Sequence, residues 1–136
     1  MLLQAANLGI KDAETEVRKV LKLVRMEGAA GNKYKNCSLG MKQRIGIAMA
    51  LLGSPKLLIL DEPITGLDPA AAQDLYKTLS YLNRKEGMAI VMVTHDLKAA
   101  MQSARNVLYI GRTGYFHGTV AEYLASPQGR RFREGE

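Results

Sequence analysis

The sequence predicts an α/β fold with a largely parallel sheet. Two short apolar runs, "LLIL" at 57–60 and "MAIVMVT" at 88–94, show no alternation and read as strands buried on both faces. The stretch between them has helical spacing and opens on a capping residue. Strands alternating with helices imply crossover connections and parallel pairing.

Taken in order, a helix is expected from Asp12 to about Met26. Val17, Val20, Leu21 and Val24 fall at helical spacing, Asp12 and Glu14 suit the positive amino end, and Gly28 stops it. After the loose segment "EGAAGNKYKN", Ser38 is a good N-cap for a second helix. Met41, Ile45, Ala48 and Leu52 would line one face of it, and Gly53 would end it. Pro63 breaks the "LLIL" strand just after two carboxylates, and Asp68-Pro69 opens a helix striped by Leu75, Leu79 and Leu82 and stopped near Gly87. Beyond "MAIVMVT" come a short helix from Leu97 to Ala104, the strand "VLYI", a turn "GRTG" and a further strand around Tyr115. Thr119 with Glu122 forms a capping box for a last helix.

At 136 residues, with 47% hydrophobic and 24% charged residues, the chain falls in the range of a single globular domain. Its apolar runs are too short to span a bilayer, and its first residues lack a basic region followed by an apolar core and a cleavage site. A soluble, cytosolic protein is therefore expected unless a partner holds it at a membrane. The lone Cys37 excludes an internal disulfide framework and reads as a small buried hydrophobe. The net charge of +6 is spread along the chain, apart from the tail "GRRFRE", so nucleic acid is not an expected partner.

Four segments can carry chemistry. In "LLILDEP" an apolar strand delivers Asp61 and Glu62 to its carboxyl end, where ligand crevices open in α/β sheets. Such a pair can hold Mg²⁺ through water and accept a proton from an attacking water, or can be two solvated acids ending a strand. In "VMVTHD" His95 ends another strand, where an imidazole can donate to a phosphate oxygen or simply cap a helix. In "NCSLGMKQR" a Ser38-capped helix presents unpaired N–H groups, and Gly40 permits close backbone approach to an anion; an ordinary capped helix reads the same. In "TGLDP" Asp68 is accounted for as an N-cap and Gly66 as a turn residue.

Together, in this order and spacing, these segments resemble the ATP-binding subunits of ABC transporters. "CSLGMKQR" is similar to the family signature LSGGQ with its basic-polar extension, "LLILDEP" to the Walker B strand with its catalytic glutamate, "GLDP" to the D-loop, and "VTHD" to the switch-histidine loop. The resemblance runs from about Asp12 to Leu124. It implies that residues 1–53 are the remainder of a helical subdomain and 54–136 the C-terminal part of an ATPase core of the P-loop NTPase class. By the same resemblance, Asp61 would hold Mg²⁺ through water and Glu62 would act as general base. His95 would contact the γ-phosphate of ATP, and Asp68 would signal across a dimer. Ser38 and Gly40 would touch the γ-phosphate of ATP bound to the opposite subunit. The implied partners are a membrane permease and a second nucleotide-binding subunit arranged head to tail, at the cytoplasmic face of the membrane.

The departures are Leu39 and Met41, where the signature has glycine and glutamine, and Ile64, where the family has Thr or Ser. Leu39 is therefore not expected to contact phosphate. No GxxxxGK[ST] occurs in the 136 residues, and "GAAGNK" at 28–33 is not one. Phosphoryl transfer rests on positioning and charge stabilisation, and this loop supplies the phosphate cradle. The chain alone is thus expected to lack ATPase activity. It is also expected to fold marginally, because a strand missing beside "LLIL" would leave an apolar sheet edge bare.

Two other functions share these features. One is a non-catalytic module that lends its signature helix to a partner's ATP site; the other is a non-transport relative acting on nucleic acid or the ribosome. The segment 38–63 resembles subunits of drug or antimicrobial-peptide exporters, whereas 94–119 is similar to subunits of metal-uptake systems.

Overall fold

The computed structural model describes residues 1–29, 31–112 and 114–134. Ala30 of the expected loop, Thr113 of the expected "GRTG" turn, and the side chains of the basic tail at 131–134 lie outside the described residues. The chain divides into two compact units, Met1–Thr94 and His95–Glu136.

In the first unit, α1 (Leu2–Asn7) precedes α2 (Ala13–Leu23), which starts where Asp12 accepts the Thr15 N–H at 3.2 Å. Of the predicted stripe, Val20, Leu21 and Val24 are buried and Val17 packs at the margin. The helix ends before Gly28, because Arg25 at φ 58 turns the chain out of it. α3 (Leu39–Leu51) is capped by Ser38, whose hydroxyl accepts the Met41 N–H at 3.2 Å. Its buried side takes in the predicted stripe and extends past it. Ala48 and Leu52 are buried, Met41 and Ile45 pack half-buried against the core, and Arg44, Ile47 and Leu51 are buried beside them. The helix is apolar around most of its circumference, which makes the buried side wider than one stripe. Direction comes from Arg44, 9% exposed, which donates to the Val24 carbonyl at 2.8 Å, to Thr78 Oγ1 at 3.1 Å and to the Asp74 carboxylate.

Asp68 accepts from Ala70 N and Ala71 N and opens α4 (Pro69–Arg84), with Leu75, Leu79 and Leu82 buried as predicted. The strands β1 (Leu57–Asp61) and β2 (Ala89–Val93) pair in parallel, with Ile59 opposite Val91 and Asp61 opposite Val93. They are not buried on both faces as the apolar runs implied. Leu58 is 3% exposed in the core, but Ile59 and Val91 on the other face are 66% and 50% exposed. The core cluster, drawn from α1, α2, α3 and α4, lies on the Leu58 side. The helices before β1 share this core with α4 and β2, so the unit runs across position 53/54.

In the second unit, α5 (Leu97–Ser103) leads into β3 (Asn106–Gly111) and β4 (Gly114–Thr119), which form an antiparallel hairpin. Among the described residues, parallel pairing is therefore confined to β1 and β2. The Thr119–Glu122 capping box is present and opens α6 (Val120–Ala125); a break at Ser126 then splits the expected last helix and starts α7 (Pro127–Glu134). Tyr123, 1% exposed, packs its ring against Tyr109 and Phe116 at 5.8 and 5.5 Å, and burial, then the neighbouring Tyr109, raises its hydroxyl pKa.

The exposed apolar face of β1 and β2, and edges that pair with no third strand among the described residues, predict self-association. Sedimentation velocity should show it, and Ile59→Lys with Val91→Lys should suppress it while shifting unfolding stability by no more than about 0.5 kcal/mol. A monodisperse monomer with a sharp two-state melt is the contrary result. In the capping box, the Thr119 backbone N–H (2.7 Å) and then its hydroxyl (2.8 Å) lower the Glu122 pKa from its ordinary 4.5. Its contribution to α6 is therefore complete above that value and is lost as pH falls through the lowered folded pKa. Hydrogen exchange of α6 amides across this window should show the loss, and Glu122→Gln should make the exchange insensitive to it.

Candidate functional site

β1 ends on Asp61, which is exposed, and the chain then kinks. Glu62 takes the left-handed region at φ 46, and its N–H donates to the Val93 carbonyl at 2.9 Å, one residue beyond the strand ladder. Its carbonyl accepts the Thr65 N–H at 3.2 Å. Its carboxylate oxygen Oε2 accepts from Thr65 Oγ1 and from Thr94 Oγ1, each at 3.3 Å. Pro63 is buried, and Ile64, where the family's polar residue would stand, packs against the core.

The turn that follows brings two predicted segments into contact. Gly66 has φ 78, and a Cβ built there would meet Leu39 Cδ2 at 3.1 Å. Gly40 lies against the same turn: a Cβ there would sit 3.6 Å from Ala71 Cβ and 3.9 Å from Leu67 Cδ2. The starts of α3 and α4, capped by Ser38 and Asp68, are thus joined through Leu39, Gly40 and the turn 66–71. Leu39, which the sequence reading set aside, is the side chain that fills the space over Gly66.

His95 is exposed and opens the second unit, its carbonyl accepting the Leu97 N–H at 3.0 Å. Thr65 and Thr94 were not singled out by sequence; a hydroxyl two residues from Pro63 and another beside His95 were the available signal. Among the described residues, no group of three or more His, Cys, Asp or Glu side chains gathers as a metal cage. A hydrated divalent ion needs only one or two carboxylates, and the exposed Asp61 carboxylate could supply one. Among the described residues, no helix is long and apolar enough to cross a membrane.

This parallel pair with acids at its carboxyl end, preceded by a capped helix whose start touches the turn after the acids, is part of an α/β domain. The ABC transporter family model matches residues 3–65. The chain is 42% identical over 105 residues to the ABC transporter ATP-binding protein YdbJ of Bacillus subtilis, covering 77% of this chain and 34% of that protein. It is 37% identical over 134 residues to the ABC transporter ATP-binding protein PH0132 of Pyrococcus horikoshii, covering 96% and 51%. It is 39% identical over 116 residues to the zinc uptake system ATP-binding protein ZurA of Listeria monocytogenes, covering 85% and 45%. The fold matches a metal-chelate type ABC transporter in an inward-facing conformation with a TM-score of 0.88 at 22% identity, over 98% of this chain and 57% of that one. It also matches cbiO1 of Clostridium perfringens, part of the ABC transporter complex cbiONQ, at 0.81 and 28% identity, over 95% and 53%. The chain belongs to the family of ABC transporter ATP-binding proteins. It spans between a third and about half the length of these sequence relatives.

The Leu39–Gly66 contact gives a direct test. Gly66→Ala combines a strained φ with a steric conflict and should cost roughly 1–3 kcal/mol. Adding Leu39→Gly should recover the steric part only. Urea denaturation of the double-mutant cycle measures this, and strict additivity would deny the coupling.

Proposed function

We propose that the chain is the signature-bearing and Walker B-bearing portion of an ABC transporter ATP-binding subunit, which couples ATP binding and hydrolysis to solute movement by a membrane permease. The observation that carries this reading is the strand-end pair Asp61 and Glu62 on β1, with Glu62 held in a kinked conformation beside the end of β2. Residues 1–53 would belong to the helical subdomain and 54–136 to the ATPase core. The subunit would work at the cytoplasmic face of the membrane, bound to its permease and to a second nucleotide-binding subunit.

In this reading Asp61 holds Mg²⁺ through water, and the ion supplies neutralisation of the phosphate charge. Glu62 takes the proton of the water that attacks the γ-phosphate. His95 donates to the γ-phosphate, and Asp68, while capping α4, relays the state of the site to the second subunit. Ser38 and Gly40 face the γ-phosphate of ATP on that opposite subunit. The Ser38 hydroxyl oxygen is used by the Met41 N–H, which leaves its proton to donate to an anion. The phosphate cradle is to be supplied by a P-loop, since GxxxxGK[ST] is absent from the 136 residues. A second reading draws on the Ser38-capped start of α3, which the chain would lend to the ATP site of a P-loop-bearing partner.

The test compares Mg²⁺-dependent ATP turnover by the chain alone with turnover when it is joined behind the P-loop-bearing portion of a relative such as YdbJ. The chain alone should be inactive and the joined protein active, with Glu62→Gln lowering kcat about 10²- to 10⁴-fold. Turnover by the chain alone, or a joined protein indifferent to Glu62→Gln, would sink the catalytic reading. Activation of a separate P-loop-bearing subunit, dependent on Ser38, would select the second.

A further inference from the structure

A glutamate in the left-handed region is rare and costs energy, and it persists only where its surroundings over-determine it. At Glu62 those surroundings are specific. The backbone is fixed from both sides, by the Val93 carbonyl and by the Thr65 N–H. The side chain is fixed by the next atoms of the same two segments, because the hydroxyls of Thr94 and Thr65 both donate to Oε2 at 3.3 Å. One donor lies three residues on in the turn and the other lies 32 residues away at the end of β2. A half-buried glutamate at a strand end has three side-chain torsions to lose, and two converging donors remove most of that freedom.

Threonine hydroxyls are short donors, and their β-branching restricts their own rotamers, so each presents its O–H in a narrow range of directions.

We propose that Thr65 and Thr94 are positioning residues that form a two-hydroxyl clamp, aiming the Glu62 carboxylate for water activation. The proposal rests on the reading of Glu62 as general base, but the clamp itself can be tested without catalysis. In the 136-residue chain labelled with ¹³C at the glutamate side-chain carboxyls, Glu62→Gln identifies the Glu62 resonance by its loss. That resonance should stand apart from those of exposed glutamates such as Glu14 and Glu86. Thr65→Val and Thr94→Val should each remove part of the displacement, the double variant should remove more than either alone, and Thr→Ser at either position should preserve it. A Glu62 resonance already among the solvated glutamates, or one unmoved in the double variant, would overturn the clamp. Thr65 is exposed, so its variants decide the matter even where Thr94→Val disturbs the fold.

The kinetic counterpart uses the P-loop-joined protein. Each Val variant should lower kcat about 10- to 100-fold at unchanged KM for ATP, with rescue by Ser. An unchanged or raised kcat would refute positioning. Should Glu62→Gln leave turnover intact while the resonance behaves as expected, the general-base reading fails and the clamp stands.

Discussion

The first unit is organised around one buried cation. Arg44 places a guanidinium among three helices, reaching the end of α2 at Val24, the middle of α4 at Thr78, and the Asp74 carboxylate. A charge this deep is tolerated only when its donors are used, and the planar fork of arginine satisfies carbonyl, hydroxyl and carboxylate at once. Asp74 is itself 46% exposed and also meets Arg25 at 3.2 Å. Part of the ion pair is therefore screened by solvent, and the tie owes more to its geometry than to net Coulomb energy. Its effect is to set the rotation of α3, and hence where Ser38, Leu39 and Gly40 emerge.

From that fixed rotation the rest of the first unit's rim follows. The start of α3 rests on the turn 66–71, the turn begins at the Glu62 kink, and the kink is held by the end of β2. Each step is short-range: a cap, a glycine without a side chain, a single backbone hydrogen bond. Energy is spent at Glu62, where the backbone departs from the preferred regions, and the surrounding hydrogen bonds retain it there.

Much of this was legible in the sequence. The caps at Ser38, Asp68 and Thr119 were readable because capping depends on local residue type, and each accepts a helix N–H; Asp12, read only as a charge suited to the positive helix end, caps α2 as well. The stripe of α4 was readable because polar residues mark its other face. Less was legible for α3, where the predicted stripe is only part of the buried side and no local pattern announces the contacts that bury Arg44. The exposure of Ile59 and Val91 was illegible for another reason: an apolar strand encodes what it can be packed against, while the covering layer is set by other segments. The same holds for Thr94, whose contact with Glu62 spans 32 residues and is announced by no local pattern.

The cap of α3 has a thermodynamic corollary. The Ser38 oxygen receives the Met41 N–H, and an anion accepting the Ser38 proton would polarise that hydroxyl and strengthen the bond behind it. Occupancy in front of the helix and order within its first turn are then linked, each raising the other. Because Arg44 lies less than two turns further along and fastens α3 to its neighbours, charge captured outside the helix would be felt as rigidity in the three-helix core.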